Sequence, residues 1–320
     1  MQLNDTQQQP FDSAYGGEGW SPRTQTLEDE IGDLWSPCGI NSEWAPLRSV
    51  LLHRPGDELA ASQNPQAVQM LEQLDIRLAR SQHDEMASAY EKAGVTVRYV
   101  DPPVIPTPNQ MFVADLMFAT PEGIILARPA STVRAGEERW VARHLADAGI
   151  PIIRTISGTA VFEGADAMWL DPQTIILGRG LRTNDEATAQ ITETLEWMGV
   201  ETIVVDLPYG SMHLMGMLRI VDSSLAIAWP KRFVHRGVDA LRARGYEVAW
   251  LPDDSEANHN KAFNFVTLGP KSILMAGGCP QTQSFYESLG IQCTTVPVDE
   301  LRKAAGAIGC LSGVVEREII

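Results

Sequence analysis

The 320 residues, 44% apolar and 21% charged, suffice to bury the core of one large domain or two ordinary ones. With 25 basic and 41 acidic side chains the formal net charge is −16; this field repels phosphate backbones and acidic membrane surfaces, so neither nucleic acid nor a membrane is expected as a partner. No run approaches the roughly 20 apolar residues of a membrane-spanning helix. The opening MQLNDTQQQPFDSAYGGEG is too polar and acidic for a secretory signal.

Residues 1–40, with Trp20, Trp35 and Cys38, are expected to form an irregular N-terminal arm, and residues 41–320 a single domain without an internal linker. The first regular unit reads LRSVLLHRP as a strand, then a helix within 66–93, then VTVRYV as a strand. From residue 111 a longer order recurs. MFVADLMFAT and GIILARP precede the helical ERWVARHLADAG, and PIIRTI follows. VFEGADAMWL and TIILGRG precede EATAQITETLEWMG, and ETIVVDL follows. HLMGMLRIVD and LAIAWP precede RGVDALRARG and YEVAWLP, while NFVTLGP and SILMAGG precede TQSFYESLG and IQCTTVP. The strands rest on short Val-, Ile- and aromatic-rich runs between Gly, Pro and Asp turns; the helices rest on apolar spacing ended by glycine. Starts at 111, 161, 213 and 264 give a period of roughly 50 residues. A kelch-type propeller lacks the helix, and a doubly wound sheet would not place two strands before each helix, so five strand–strand–helix–strand units closing in a ring account best for the pattern.

In such a ring the starts of the first strands converge. They carry Asp115 in FVAD, Glu163 and Asp166 in FEGAD, His213 in MHL and Asn264 in AFNF, while the flexible ELRKAAGAIGC delivers Cys310. Alone, Cys310 reads as a small buried hydrophobe, His213 as a satisfied core histidine, and Glu163 and Asp166 as turn residues. Together, at one phase of the repeat, they make a nucleophile, a base and its orienter. Cys38, Cys279 and Cys293 read as structural thiols, and the absence of CxxC pairing fits a reducing cytoplasm. The scattered histidines, with no HExxH, point to no metal site, and no cofactor is expected.

The motifs NSEWAPLRSVLLHRPGDEL, PNQMFVAD, FEGAD, RTN at 182–184, MHL, Asn264 and GAIGC resemble those of the guanidine-modifying superfamily of arginine deiminases, dimethylarginine dimethylaminohydrolases and amidinotransferases. The resemblance covers residues 41–320 and implies an α/β fold, the five-bladed α/β propeller called pentein, of pseudo-symmetric ββαβ units. It implies that Cys310 attacks a planar N–C–N carbon to give a thiouronium-like adduct. His213 would protonate the leaving group and then activate water, Glu163 would hold His213, and Asp115 would hold the N–H groups beside the attacked carbon. Asp166, Asn109, Phe112, Met215, Arg182 and Asn264 are the expected substrate-binding residues, although PNQMF and RTN read equally as turn and capping signals.

Three positions depart from the family pattern: Ala114 stands where an Arg is frequent, Met215 where many members carry a second guanidinium-binding Asp, and Ala304-Ala305 where paired glycines are common. Met215 makes the expected pocket softer and less anionic. The expected reaction is hydrolysis of a methylated arginine or similar small guanidine. The alternatives are hydrolysis of a neutral C2-substituted imidazole such as a 2-nitroimidazole with release of nitrite, amidino transfer, or a non-catalytic ligand-binding propeller. Self-association stays open, since homo-oligomers are common for closed repeat folds.

Overall fold

The computed structural model describes residues 11–320. Fifteen strands build five three-stranded sheets. In chain order they are β1 (Leu47–Leu52), β2 (Thr96–Tyr99), β3 (Met117–Thr120), β4 (Gly123–Leu126), β5 (Ile152–Thr155), β6 (Ala167–Asp171), β7 (Thr174–Arg179), β8 (Glu201–Asp206), β9 (Leu218–Ile220), β10 (Leu225–Ala228), β11 (Glu247–Trp250), β12 (Val266–Gly269), β13 (Ser272–Ala276), β14 (Gln292–Val296) and β15 (Gly313–Arg317).

Every sheet repeats one plan, in which an antiparallel pair is followed, after a helix, by a strand parallel to the middle one. It is seen in β3–β4–β5, β6–β7–β8, β9–β10–β11 and β12–β13–β14. The remaining sheet is assembled from both ends of the chain: β15 runs antiparallel to β1, and β1 runs parallel to β2. The pattern of apolar runs had not suggested that last strand. GVVER is short and carries Glu316 and Arg317 among its five residues, and its pairing with β1 joins residues far apart in sequence.

Helices Ile76–Lys92, Glu138–Asp147, Asp185–Glu196, His235–Ala243 and Pro280–Ser288 supply the crossovers. Glycines 94, 149, 199, 245 and 290 end these helices with φ between 70° and 81°, the left-handed stop that lacks a Cβ penalty. The first helix starts later than its broad expected range, because Asp75 caps it by accepting from the Arg77 and Leu78 amides, while Pro65–Val68 forms a separate 3-10 turn.

The middle strands β4, β7, β10 and β13 are almost wholly buried, whereas the third strands β2, β5, β8, β11 and β14 are partly exposed. The core therefore lies over the first two strands of each sheet. The residues expected to open those first strands do not extend them. Val113–Asp115, Gly164–Asp166 and Leu214–Gly216 are single 3-10 turns, and the strands begin behind them. Close packing between neighbouring turns enforces this: a Cβ on Gly164 would lie 2.0 Å from the Met117 carbonyl oxygen.

Of the stretch expected to form the arm, residues 1–10 lie outside the described residues; within the rest Cys38 is buried and Gly39 bridges to Glu316 of β15, while Trp20 is 61% exposed. Among the described residues no helix is long and apolar enough to cross a membrane.

Candidate active site

The turns set the site. Phe112, Glu163 and His213 each precede their 3-10 turn, and Asp115 and Asp166 each end one. Cys310 holds the corresponding third place in Ile308–Leu311, the short helical turn ahead of β15. The repeat thus places an acid, an imidazole and a thiol at related backbone positions of different units.

His213 Nε2 lies 2.7 Å from Glu163 Oε2, and its Nδ1 lies 3.9 Å from Asp115 Oδ1. Burial alone would lower the His213 pKa, but Asp115, Asp166 and Glu163 outweigh it and push it up to about 9, so the imidazolium prevails at neutral pH. Glu163 is held below the ordinary carboxylate range: burial opposes ionisation, but the His213 hydrogen bond and the charges of His213, Arg134 and Arg182 overcome it.

Arg134 Nη1 donates to Asp115 Oδ2 at 2.6 Å and lies 3.3 Å from Glu163 Oε2, while its Nε donates to Glu137 at 2.9 Å. Arg182 Nη1 donates to Glu163 Oε1 at 3.0 Å. Asp115 Oδ1 is buried without a hydrogen-bond partner among the described residues, an acceptor open to an incoming N–H. The donor atoms of Asp115, Glu163 and His213 lie within 4.8 Å of one another, a spacing a divalent cation can span. The two buried guanidinium groups already offset much of the charge of these carboxylates, and they disfavour a divalent ion there.

Cys310 is held by Asn264, whose Oδ1 accepts from the Cys310 amide at 3.1 Å and whose Nδ2 donates to Sγ at 2.9 Å. Burial, and secondarily the Asp115 charge, push the thiol pKa up; the Asn264 and Ala307 hydrogen bonds and the Arg219 charge act against that rise. Arg219 packs against the turn that carries Cys310, and a Cβ on Gly309 would fall 2.4 Å from its Nη2. That Nη2 is buried and without a partner among the described residues.

Two cavities meet at Cys310. One, of about 20 Å³, is bounded by Asn109, Phe112, Asp115, Arg134 and Arg182; as it stands it holds about one water. The other, of about 180 Å³, is bounded by His213, Met215, Lys261 and Asn264 among others. Cys310 and His213 face the second together.

Of the expected substrate-binding residues, Asn109, Phe112, Arg182, Met215 and Asn264 line one cavity or the other. Asp166 lines neither. Its oxygens accept from Thr183 Oγ1 at 2.6 Å and the Leu214 amide at 3.0 Å, so its expected place against substrate is corrected to one that anchors the His213 turn. Asn109 also donates to the Val68 carbonyl, and Asn184 caps helix Asp185–Glu196, as the turn-and-cap alternative anticipated. Arg134, Arg219 and Lys261 had not been singled out. For Arg134 a signal was available: it lies, like Arg182, in the link between a unit's second strand and its helix.

These turns, sheets and buried charges are those of a mixed α/β enzyme of the guanidine-modifying kind, and comparison narrows the class. The model of the family described as N,N dimethylarginine dimethylhydrolase, eukaryotic, matches residues 57–275, and the chain belongs to that family. The N(G),N(G)-dimethylarginine dimethylaminohydrolase of Streptomyces coelicolor is 26% identical over 267 residues, covering 83% of this chain and 96% of the relative. A solved dimethylarginine dimethylaminohydrolase adduct with 4-chloro-2-hydroxymethylpyridine superposes with a TM-score of 0.69 at 22% identity, over 83% of this chain and 99% of that one. The N-terminal domain of ArgZ, covalently bound to a reaction intermediate, superposes with a TM-score of 0.73 at 19% identity, over 85% and 98% of the two chains.

Proposed function

We propose that this protein is a cysteine hydrolase that opens the N–C–N carbon of a methylated arginine or similar small guanidine. Family membership and the Cys310, His213, Glu163 and Asp115 set support the reading. The single observation that carries it is the buried, carboxylate-held His213 facing one cavity with Cys310.

Asp115 Oδ1 accepts a substrate N–H. The Cys310 thiolate forms a C–S bond to the central carbon, and the departing amine takes the proton that His213 holds, leaving a thiouronium adduct. Neutral His213 then takes a proton from water; the hydroxide adds to the adduct, the C–S bond breaks, and the urea-type product leaves the thiolate behind. Glu163 holds the imidazole through both half-reactions. Asn264 holds Sγ, and Asn109, Phe112, Arg182 and Met215 border the substrate. We assign this catalytic role to residues 41–320 as one domain, a five-bladed α/β propeller closed by β15, with residues 11–40 as the described part of its arm.

A second reading is favoured by one contact. Arg134 neutralises Asp115, and Met215 adds no carboxylate, so a neutral C2-substituted imidazole such as a 2-nitroimidazole would meet the same nucleophile without competing for an anion. Arginine, methylarginines, agmatine and 2-substituted imidazoles, assayed for ammonia, amines and nitrite, separate the readings. Amine from methylarginine is expected from the first and nitrite from the second, and Cys310→Ser should abolish either. Near-normal turnover in that variant contradicts the mechanism.

A further inference from the structure

Strand β9 is Leu218–Arg219–Ile220, and all three residues are buried. A guanidinium on such a strand is costly unless its charge and its donors are answered. Arg317, the buried arginine of β15, is answered by backbone: Nη1 and Nη2 donate at 2.7 Å to the Ala45 and Thr267 carbonyls. Arg219 is not answered in that way. Its Nε donates to the Phe263 carbonyl at 3.1 Å, and its guanidinium lies over the Phe265 ring, 5.3 Å from the ring centre. Nη2 is buried and has no partner among the described residues, carboxylate or otherwise.

A Cβ on Gly309, the residue before Cys310, would lie 2.4 Å from that Nη2 and 2.9 Å from Asn264 Oδ1. The missing side chain at 309 therefore lets the guanidinium approach the turn Ile308–Leu311, beside the asparagine that holds both the Cys310 amide and Sγ. Arg219 lines neither cavity at Cys310. The groups on the cavity side differ: Asp115 opposes ionisation of the thiol, while Arg134, Arg182, His213 and Lys261 border the space a substrate fills. Burial pushes the Arg219 pKa down to about 10, which leaves a cation at neutral pH. Of the groups that favour that cation, Cys310 acts most, ahead of Glu43, Tyr286 and Tyr90. Glu43 is in turn answered first by Arg317.

We infer that Arg219 is the counter-charge of the Cys310 thiolate, a positioning residue that acts on the reaction through the sulfur, with position 309 kept free of a side chain so that guanidinium and turn can meet. This rests on Cys310 as the nucleophile of the proposed reaction, but it is tested without turnover. Ionisation of the thiol releases a proton and sets a negative charge near a buried cation that otherwise lacks one, so the pair forms as the attacking species forms.

The test is the pH midpoint of Cys310 alkylation by iodoacetamide, a neutral reagent, followed on the Cys310 peptide by mass spectrometry. The midpoint is read rather than the rate, because a more basic thiolate also attacks faster. In Arg219→Gln, which keeps a donor for the Phe263 carbonyl and loses the charge, the midpoint should rise by about one unit. In Arg219→Lys, which keeps the charge, the rise should be at most about half a unit. A midpoint unmoved in Arg219→Gln, or equal rises in the two variants, overturns the inference. A second measurement needs neither variant to fold. With isotopically labelled arginine, the Arg219 Nε resonance of the unaltered protein should shift as Cys310 ionises and lose that step in Cys310→Ser. A resonance flat in the unaltered protein, or a step that survives in Cys310→Ser, overturns the inference too. A raised midpoint in Arg219→Gln without turnover of any screened compound would retire the hydrolase reading and keep the ion pair; turnover with an unmoved midpoint would do the reverse.

Discussion

His213 and His83 lie in different regions, are buried to almost the same degree, and are given opposite properties. His83, on helix Ile76–Lys92, is fully buried with neither ring nitrogen hydrogen-bonded among the described residues, and burial pushes its pKa down to about 3. His213, 4% exposed, faces Asp115, Asp166 and Glu163, and its pKa is pushed up to about 9 despite burial. Depth alone therefore does not decide whether a buried histidine is neutral packing or a proton donor. The carboxylates around it decide. Because these come from turns of neighbouring units, the repeat architecture raises the imidazole's pKa.

The comparison breaks first at Glu163. Glu163→Gln removes the His213 partner and leaves Arg134 and Arg182 short of one buried anion, so it should destabilise by about 3–5 kcal/mol in chemical denaturation. A loss below about 1 kcal/mol would show that the cluster does not share charge as described.

The two histidines should then bend the stability–pH curve in opposite directions. At His83 the native state binds its proton more weakly than the unfolded chain, so its contribution is present above pH 6.5 and is lost as pH falls toward 3, on the order of 5 kcal/mol. His83→Leu should flatten the acid limb, and an unchanged limb contradicts the assignment. At His213 the native state binds the proton more tightly. Its contribution is complete below pH 6.5 and is lost as pH rises through about 9, on the order of 3 kcal/mol. His213→Asn should remove that alkaline loss, and a loss that persists unchanged would contradict it.

The smallest effect is expected in the loop before Cys310. Ala305 has φ 77° and borders both cavities. Ala305→Gly should raise the denaturation midpoint, with a gain of at most about 1 kcal/mol. A lower midpoint would mean that the Ala305 methyl packs between the cavities.

Much of this was legible along the chain. The helix-ending glycines and paired apolar runs announce repeated units with two strands before each helix, since burial and backbone geometry are local demands. Cys310, His213, Glu163 and Asp115 could be gathered because they share one phase of that repeat. What escaped depends on long-range contact. β15 completes the first sheet only through pairing with β1, and Arg134 becomes part of the site only through a loop folding back onto Asp115. Asp166 has the same residue type and turn position as Asp115, yet Thr183 and the Leu214 amide consume its oxygens. Only packing could separate the two.

The central claim is a protonated His213 held by carboxylates beside a buried thiol, and NMR titration of isotopically labelled histidine tests it most directly, with the His213 resonance assigned from His213→Asn. An apparent pKa near 9 is predicted for His213, falling by about a unit or more in Glu163→Gln. A His213 resonance titrating at the ordinary 6.5 in the unaltered protein would contradict the account.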